Sequence, residues 1–419
     1  MGSDPFSHAS LKIGGDREKR QTFFGTLPGL ACGRPNTGES MKIDVFAMER
    51  MQSTWENLVE FNLSESGVRP MRVADLFDGD AERERFLQQE ICYTQSNGTV
   101  DLRTAIAGFY PGTTVDHVEV TNGGSEANFV ACWKLLEPDD EVVMMVPNYG
   151  QTLGLAKAFA RTMHDWPLVA DHAAGRWRPD LDRLAALVNR RTKLIVICNP
   201  NNPTGARIRA SELDAIAAIA ARHGSWVLSD EIYRGAEVDG EETPSIWGRY
   251  ERAIVTSGLS KAYGLPGLRI GWIVAPPPFI ASAWSYHDYT SIAPGALSDH
   301  LARVALAPAR RAKILNRTRT IIRTNLPVMT DWLAMHGDQF EYLAPEAGAI
   351  IYVHYRLPVN STALVTRLRE VKSVLIVPGD HFGMDGYLRI GTGSETGYMR
   401  TGLDRLRELL VGLSADAGR

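Results

Sequence analysis

The most telling segment of this 419-residue chain runs Ser257-Gly-Leu-Ser-Lys261-Ala-Tyr-Gly-Leu-Pro-Gly-Leu-Arg269-Ile-Gly271. It follows an apolar run and is rich in glycine. One lysine and one arginine stand eight residues apart in otherwise neutral surroundings. A lysine at a strand end can become a Schiff-base nucleophile when its pKa is depressed. An arginine nearby can grip a phosphate with two parallel hydrogen bonds. The plainer reading is two solvated cations on a loop, and the segment taken alone slightly favours it.

Other segments carry chemistry of their own. Gly124-Ser125-Glu126 follows an apolar run and opens a helical pattern, so its backbone N–H groups form an anion site or merely a turn. Pro147-Asn148-Tyr149 closes another run, where a tyrosine ordinarily packs. Asn199-Pro-Asn-Asn202-Pro-Thr-Gly205 suits a rigid turn with special backbone angles. In Ser229-Asp230-Glu231-Ile232-Tyr233 a carboxylate ends a buried strand and needs a partner. A protonated pyridine nitrogen would be one; the alternative is a helix N-cap. Arg389, within Tyr387-Leu-Arg-Ile-Gly391, either meets solvent at a sheet edge or forks onto a carboxylate.

Taken together, these motifs resemble those of class I/II aminotransferases, the aspartate-aminotransferase-like branch of fold-type I pyridoxal 5′-phosphate (PLP) enzymes. The resemblance covers nearly all of residues 41–419. It implies that Lys261 holds PLP as a Schiff base and that Asp230 keeps the pyridine nitrogen protonated, making the ring an electron sink. It gives the phosphate to Gly124, Ser125, Glu126, Ser257 and Arg269, the ring face to Tyr149, and the phenolic oxygen to Asn202 and Tyr233. Arg389 becomes the clamp for the substrate α-carboxylate, with Gly67 and Asn202 beside it. Tyr93, in Tyr93-Thr-Gln-Ser-Asn-Gly98, reaches the phosphate of a neighbouring subunit, so a homodimer with shared active sites is implied.

One position departs from the family pattern. Many members carry a hydroxyl residue three places before the lysine, where this chain has Gly258. Ser257, Thr290 and Ser291 are the candidate substitutes.

The reaction implied is transamination between an L-amino acid and a 2-oxo acid, with ping-pong kinetics. Ser66-Gly67-Val68 and the stretch from Lys261 to Pro294 also resemble capreomycidine synthases, which eliminate a β-substituent and cyclise an arginine-derived side chain. A PLP-dependent transcription regulator is the reading from another class. Residues 1–40 lack the helix-turn-helix pattern it would need. For side-chain recognition the candidates are Glu65, Gln151, His287 and Asp288; an acidic Glu65 at the site would favour a basic substrate side chain.

These residues need elements to position them. Apolar runs at 118–120, 142–146, 194–198, 226–228, 253–255 and 270–274 alternate with helical patterns at 126–136, 153–160, 181–188 and 210–222. That rhythm predicts parallel strands buried on both faces. Ligands of such sheets bind beyond the strand carboxyl ends, where the motifs above fall. Residues 44–60 read as an amphipathic helix through Met48, Met51, Trp55 and Leu58, and residues 101–110 as a short helix. After about residue 305 a long helical stretch contains Pro327, which should kink or divide it. Runs at 350–353, 374–377 and 388–390, with helices near 364–371 and 399–413, complete a smaller α+β domain.

The expected fold class is therefore α/β, a fold-type I PLP-transferase. Residues 1–40 would be a leader or vector-derived stretch, 41–85 an N-terminal helix and arm packing on the small domain, 86–310 the large PLP-binding domain, and 311–419 the small C-terminal domain.

Composition is that of an ordinary globular protein, 44% hydrophobic and 22% charged. A net charge of −4 suggests neither nucleic acid nor membrane as partner. Four cysteines, with no CxxC pair, indicate no metal site and fit a reducing cytoplasm.

Overall fold

The computed structural model describes residues 43–417 except Asp338, and no side chain beyond residue 413. The expectations for residues 1–40 fall outside the described residues. The strands are β1 (Phe61–Asn62), β2 (Val118–Thr121), β3 (Glu141–Val146), β4 (Thr162–Asp171), β5 (Arg176–Pro179), β6 (Thr192–Cys198), β7 (Trp226–Asp230), β8 (Ala253–Gly258), β9 (Gly271–Val274), β10 (Phe340–Tyr342), β11 (Ile350–Tyr355), β12 (Val374–Leu375), β13 (Val377–Pro378) and β14 (Tyr387–Gly391).

Eight of them form one sheet in the order β2-β9-β8-β7-β6-β3-β4-β5. Its centre is parallel, from β8 through β7, β6 and β3 to β4. Successive side chains of the central strands enter different layers. Val143, Met145, Ile195 and Ile197 join one core; Val142, Met144, Leu194 and Val196 join the other. Burial on both faces is why these runs read as continuously apolar rather than alternating. Each such side chain contributes roughly 1.5–3 kcal/mol when fully buried.

The sheet is not parallel throughout. Strand β9 runs antiparallel to both β8 and β2, and β5 antiparallel to β4. The chain between β8 and β9 holds no crossover helix, only the short turn Pro266–Leu268, so it doubles back. That same connection carries Lys261 and Arg269.

A second, antiparallel sheet has the order β10-β11-β14-β13 and its own apolar core, which includes Leu364, Leu388, Ile390 and Leu403. Strand β1 pairs in parallel with β12, Phe61 opposite Val374, which ties the N-terminal segment to the C-terminal part of the chain. The helix read over 44–60 spans Ala47–Trp55. The long helix Pro308–Ala334 contains Pro327 and is not divided by it. Strands β4, β5 and β10 have no counterpart among the expected runs. The first two carry charged and polar residues on a half-exposed edge, which hides them from a search for apolar runs.

Candidate active site

The carboxyl ends of β2, β3, β6, β7 and β8 open into a common cavity of about 760 Å³, its mouth included. It is lined by Lys261, Arg269 and Arg389 together with Asp230, Tyr233 and Asn202.

Lys261 lies three residues beyond β8. Burial depresses its pKa, and the charges of Arg389 and Arg269 act in the same direction, while Glu65 and Glu49 oppose them. An amine held this way is closer to its neutral, nucleophilic form. Gly67 sits against its stem: a Cβ there would lie 3.6 Å from Lys261 Cδ.

Asp230 is the last residue of β7. Burial raises its pKa, while hydrogen bonds from Asn128 Nδ2 (2.9 Å) and the Ile232 N–H (3.1 Å) pull it down. None of its partners is a described lysine or arginine in ion-pair contact. A carboxylate held by neutral donors at the edge of a cavity is prepared for a cation that enters the cavity.

Arg389 comes from β14 of the small sheet and is 1% exposed. Its Nη1 donates to Asn202 Oδ1 at 3.0 Å and its Nη2 to the Ser64 carbonyl at 2.6 Å. Its Nε has no partner among the described residues. A buried guanidinium with a donor to spare and no carboxylate beside it fits an incoming carboxylate.

The anion end is built from backbone. The helix Gly124–Leu135 starts directly after β2, and its first N–H groups have no carbonyl one turn earlier to bond. Gly123, at φ 93°, leaves its Cβ space to the Arg269 guanidinium. Arg269 itself takes a left-handed φ of 50° and donates to the Pro266 and Asn122 carbonyls. Tyr149 donates its hydroxyl to Glu49 Oε1 at 2.8 Å and meets the Phe46 ring edge-on.

Lys261, Asp230, Tyr233, Asn202, Tyr149, Gly124, Ser125, Arg269 and Arg389 thus share one cavity, and Glu65 lines it too. Several residues named from the sequence do not line this cavity. The Glu126 N–H, expected to join the anion site, donates to the Gly123 carbonyl at 3.1 Å, and its carboxylate is held by Ser291 (2.9 Å), His287 (3.2 Å) and the Asn122 N–H. The Ser257 hydroxyl is buried and donates to the Glu231 carbonyl at 3.1 Å. Thr290 and Ser291, offered as substitutes for the hydroxyl missing at Gly258, belong to the Glu126 cluster, as does His287. Tyr93, expected at the neighbouring subunit's phosphate, is 88% exposed and lies outside the cavity of its own chain. The hydroxyls that do line the cavity belong to Ser66, Ser125 and Ser260 beside Tyr149 and Tyr233. Gln151 acts indirectly, donating to the Ser125 carbonyl at 2.7 Å.

Sequence reading missed Asn128 and the face of the 47–55 helix turned to the cavity. Met48, Glu49, Gln52 and Glu56 all line the cavity, and the spacing of 48, 49, 52 and 56 is itself helical. That signal was present, but it was overshadowed by the apolar set on the same helix.

Residues 81–406 match the family described as Aminotransferase class I and II. The chain is 30% identical to a capreomycidine synthase of Streptomyces vinaceus, over 75% of this chain and 80% of that one. It is 29% identical to an aspartate aminotransferase of Streptomyces avermitilis, over 76% and 81%. A PLP-dependent aminotransferase of Streptococcus suis has a similar crystal structure, with a TM-score of 0.82, 30% identity, and coverage of 89% of this chain and 99% of that one.

Proposed function

This chain belongs to the class I and II aminotransferase family, and from that premise we propose that it moves the amino group of an L-amino acid to a 2-oxo acid, using Lys261. As in that family, it is a PLP-dependent enzyme. The observation that carries the reading is the meeting of Lys261, Asp230 and Arg389 in one cavity. An amine three residues past β8, a carboxylate at the end of β7 and a guanidinium on β14 face the same space.

The residues fit the cofactor. Asp230 offers a buried carboxylate with no cation of its own, and the glycine-lined start of the 124–135 helix offers free N–H groups beside Arg269. When bound, PLP supplies the carbonyl that captures an amino group and the ring that accepts the electron pair of a broken Cα–H bond.

Each residue then has a task. Lys261 Nζ is the amine that would hold the cofactor at its carbonyl. The same amine would take the α-proton from the donor. Proton transfer by a positioned group contributes about 10²–10⁴-fold. Asp230 would hold the cofactor at its pyridine nitrogen and keep a proton there. Arg389 fixes the donor carboxylate, helped by Asn202, and so orients the Cα–H bond. The donor leaves as a 2-oxo acid and a second 2-oxo acid receives the amino group, so no external oxidant or reductant enters.

We also read the enzyme as a homodimer in which Tyr93 serves the partner's site. Ile91, Tyr93 and Tyr289 are 84, 88 and 82% exposed, and Tyr93 lies outside its own chain's cavity, as a residue serving a partner's site would. We place the enzyme in the cytoplasm, where Cys92, Cys132 and Cys198, all free thiols, would stay reduced. No helix among the described residues is long and apolar enough to cross a membrane.

A second reading is favoured by the similarity to capreomycidine synthase: β-elimination, replacement or cyclisation on the same Lys261-centred site. Absorbance of the holoenzyme separates the two. Donor added without oxo acid converts a transaminase stoichiometrically to its amine form. Continued turnover of donor under those conditions overturns transamination.

A further inference from the structure

The active-site cavity is electrically two-sided. Lys261, Arg269 and Arg389 provide its cationic groups. Facing the same space are three carboxylates, Glu49, Glu56 and Glu65, all from the N-terminal segment. Glu49 and Glu56 lie two helical turns apart on one face of the 47–55 helix and its continuation, and Glu65 follows β1.

These acids are poorly neutralised. Glu49 accepts from the neutral Tyr149 hydroxyl, and no ion pair joins any of the three to a described lysine or arginine. Burial raises the pKa of Glu56, and the neighbouring charges of Glu65 and Glu49 raise it further. Like charges gathered at a cavity wall cost free energy unless a cation joins them.

Two observations independent of the acids point to a ligand in the same space. Gln52, between Glu49 and Glu56 on that helix, is 8% exposed and lines the cavity. Its amide nitrogen is spent on Ser64, at 3.0 Å to the carbonyl and 3.1 Å to the hydroxyl, while its carbonyl oxygen receives no hydrogen bond from a described residue. The second is Arg389, 1% exposed and with Nε unpartnered. The cavity therefore holds a spare donor for a carboxylate, and spare acceptors with surplus negative charge.

We propose that this wall binds the side chain of a cationic amino acid, an ammonium or guanidinium group held by Glu49, Glu56, Glu65 and the Gln52 carbonyl while Arg389 holds the α-carboxylate. The assignment rests on the amino-donor reading above and adds the substrate class. A second cation for the distal carboxylate of an acidic donor is absent from this wall, so dicarboxylates are disfavoured.

The test is titration of the holoenzyme with matched donor pairs, followed by cofactor absorbance: L-arginine against L-citrulline, and L-lysine against L-norleucine. The members of each pair are close in size, and only the first carries the charge. Kd and half-reaction rate should favour the cationic member by roughly tenfold or more, the range of a charge-assisted hydrogen bond. The double variant Glu56→Gln/Glu65→Gln should bring that ratio toward one. Glu65→Lys, at an exposed position, should invert the preference toward L-glutamate. Equal or better response to the neutral members overturns the proposal and leaves the aminotransferase reading standing. No response to any donor overturns both.

Discussion

Asn128 Nδ2 donates to Asp230 Oδ2 at 2.9 Å, and Thr256 Oγ1 in turn donates to Asn128 Oδ1 at 2.6 Å. Asn128 is 2% exposed, so its orientation is fixed by Thr256 from the adjacent strand β8. The carboxylate proposed to face the cofactor ring is therefore aimed by a buried amide.

Asn128→Ala should consequently weaken the hold on the cofactor. A hydrogen bond to a charged group is worth about 1.5–3 kcal/mol, roughly 10–100-fold in binding. The cofactor Kd, measured by absorbance titration of the apoenzyme, should rise by that factor, with a smaller fall in kcat. An unchanged Kd would mean that Asn128 has no part in placing Asp230.

Arg389→Lys keeps the charge but loses the fork. Nη1 and Nη2 now bond Asn202 and the Ser64 carbonyl, and a lysine cannot reproduce that planar arrangement. kcat/KM for the amino donor should fall by about 30-fold or more, equivalent to about 2 kcal/mol. Steady-state kinetics with amino donor varied checks this.

Gly258 replaces the hydroxyl residue common in the family. A Cβ there would stand 2.8 Å from the Ile270 carbonyl oxygen and 3.1 Å from Gly271 Cα. Gly258→Ser should therefore destabilise the protein by about 1–3 kcal/mol through overpacking and should not tighten the cofactor. Thermal unfolding of the holoenzyme together with the cofactor Kd would show both effects.

Behind the 124–135 helix lies a buried cluster with a pH signature. Glu119 and His287 are 0% exposed, with His287 Nδ1 3.4 Å from Glu119 and Nε2 3.2 Å from Glu126. Burial pushes Glu119 from 4.5 up to about 8. Burial also works to raise Glu126, but bonds from His287, Thr290 and the Asn122 N–H bring it down to about 2. A raised acid binds more protons folded than unfolded, so Glu119 loses stability for the protein as pH climbs from about 4.5 to about 8. Glu126 has the opposite sign, and its contribution is lost only as pH falls from about 4.5 toward about 2. Glu119→Gln should match the parent near pH 5 and melt at a higher temperature at pH 8. Melting curves that stay parallel across that range would contradict this account.

Much of the site was legible because its chemistry sits at strand ends in local strings. Asp230, Asn202 and Lys261 each follow an apolar run. The strand rhythm itself follows from burial on both faces. Three kinds of feature were not legible. The antiparallel return of β9 depends on what the 259–270 connection lacks. Ser257 has a suitable type and position, yet its hydroxyl is claimed by a carbonyl that only the fold brings near, and the Glu126 N–H is taken by the Gly123 carbonyl. Asn128 lies mid-helix with no local motif around it, and its role arises from its contact with residue 230, far along the chain.

The central claim is that the Lys261 amine is the covalent anchor of the cofactor. Borohydride reduction of the PLP-loaded enzyme, then proteolysis and mass mapping, tests it directly. The account predicts a phosphopyridoxyl group on the peptide containing Lys261, and no label on Lys261→Ala. A label on another lysine, or none on the wild-type protein after cofactor loading, would contradict it.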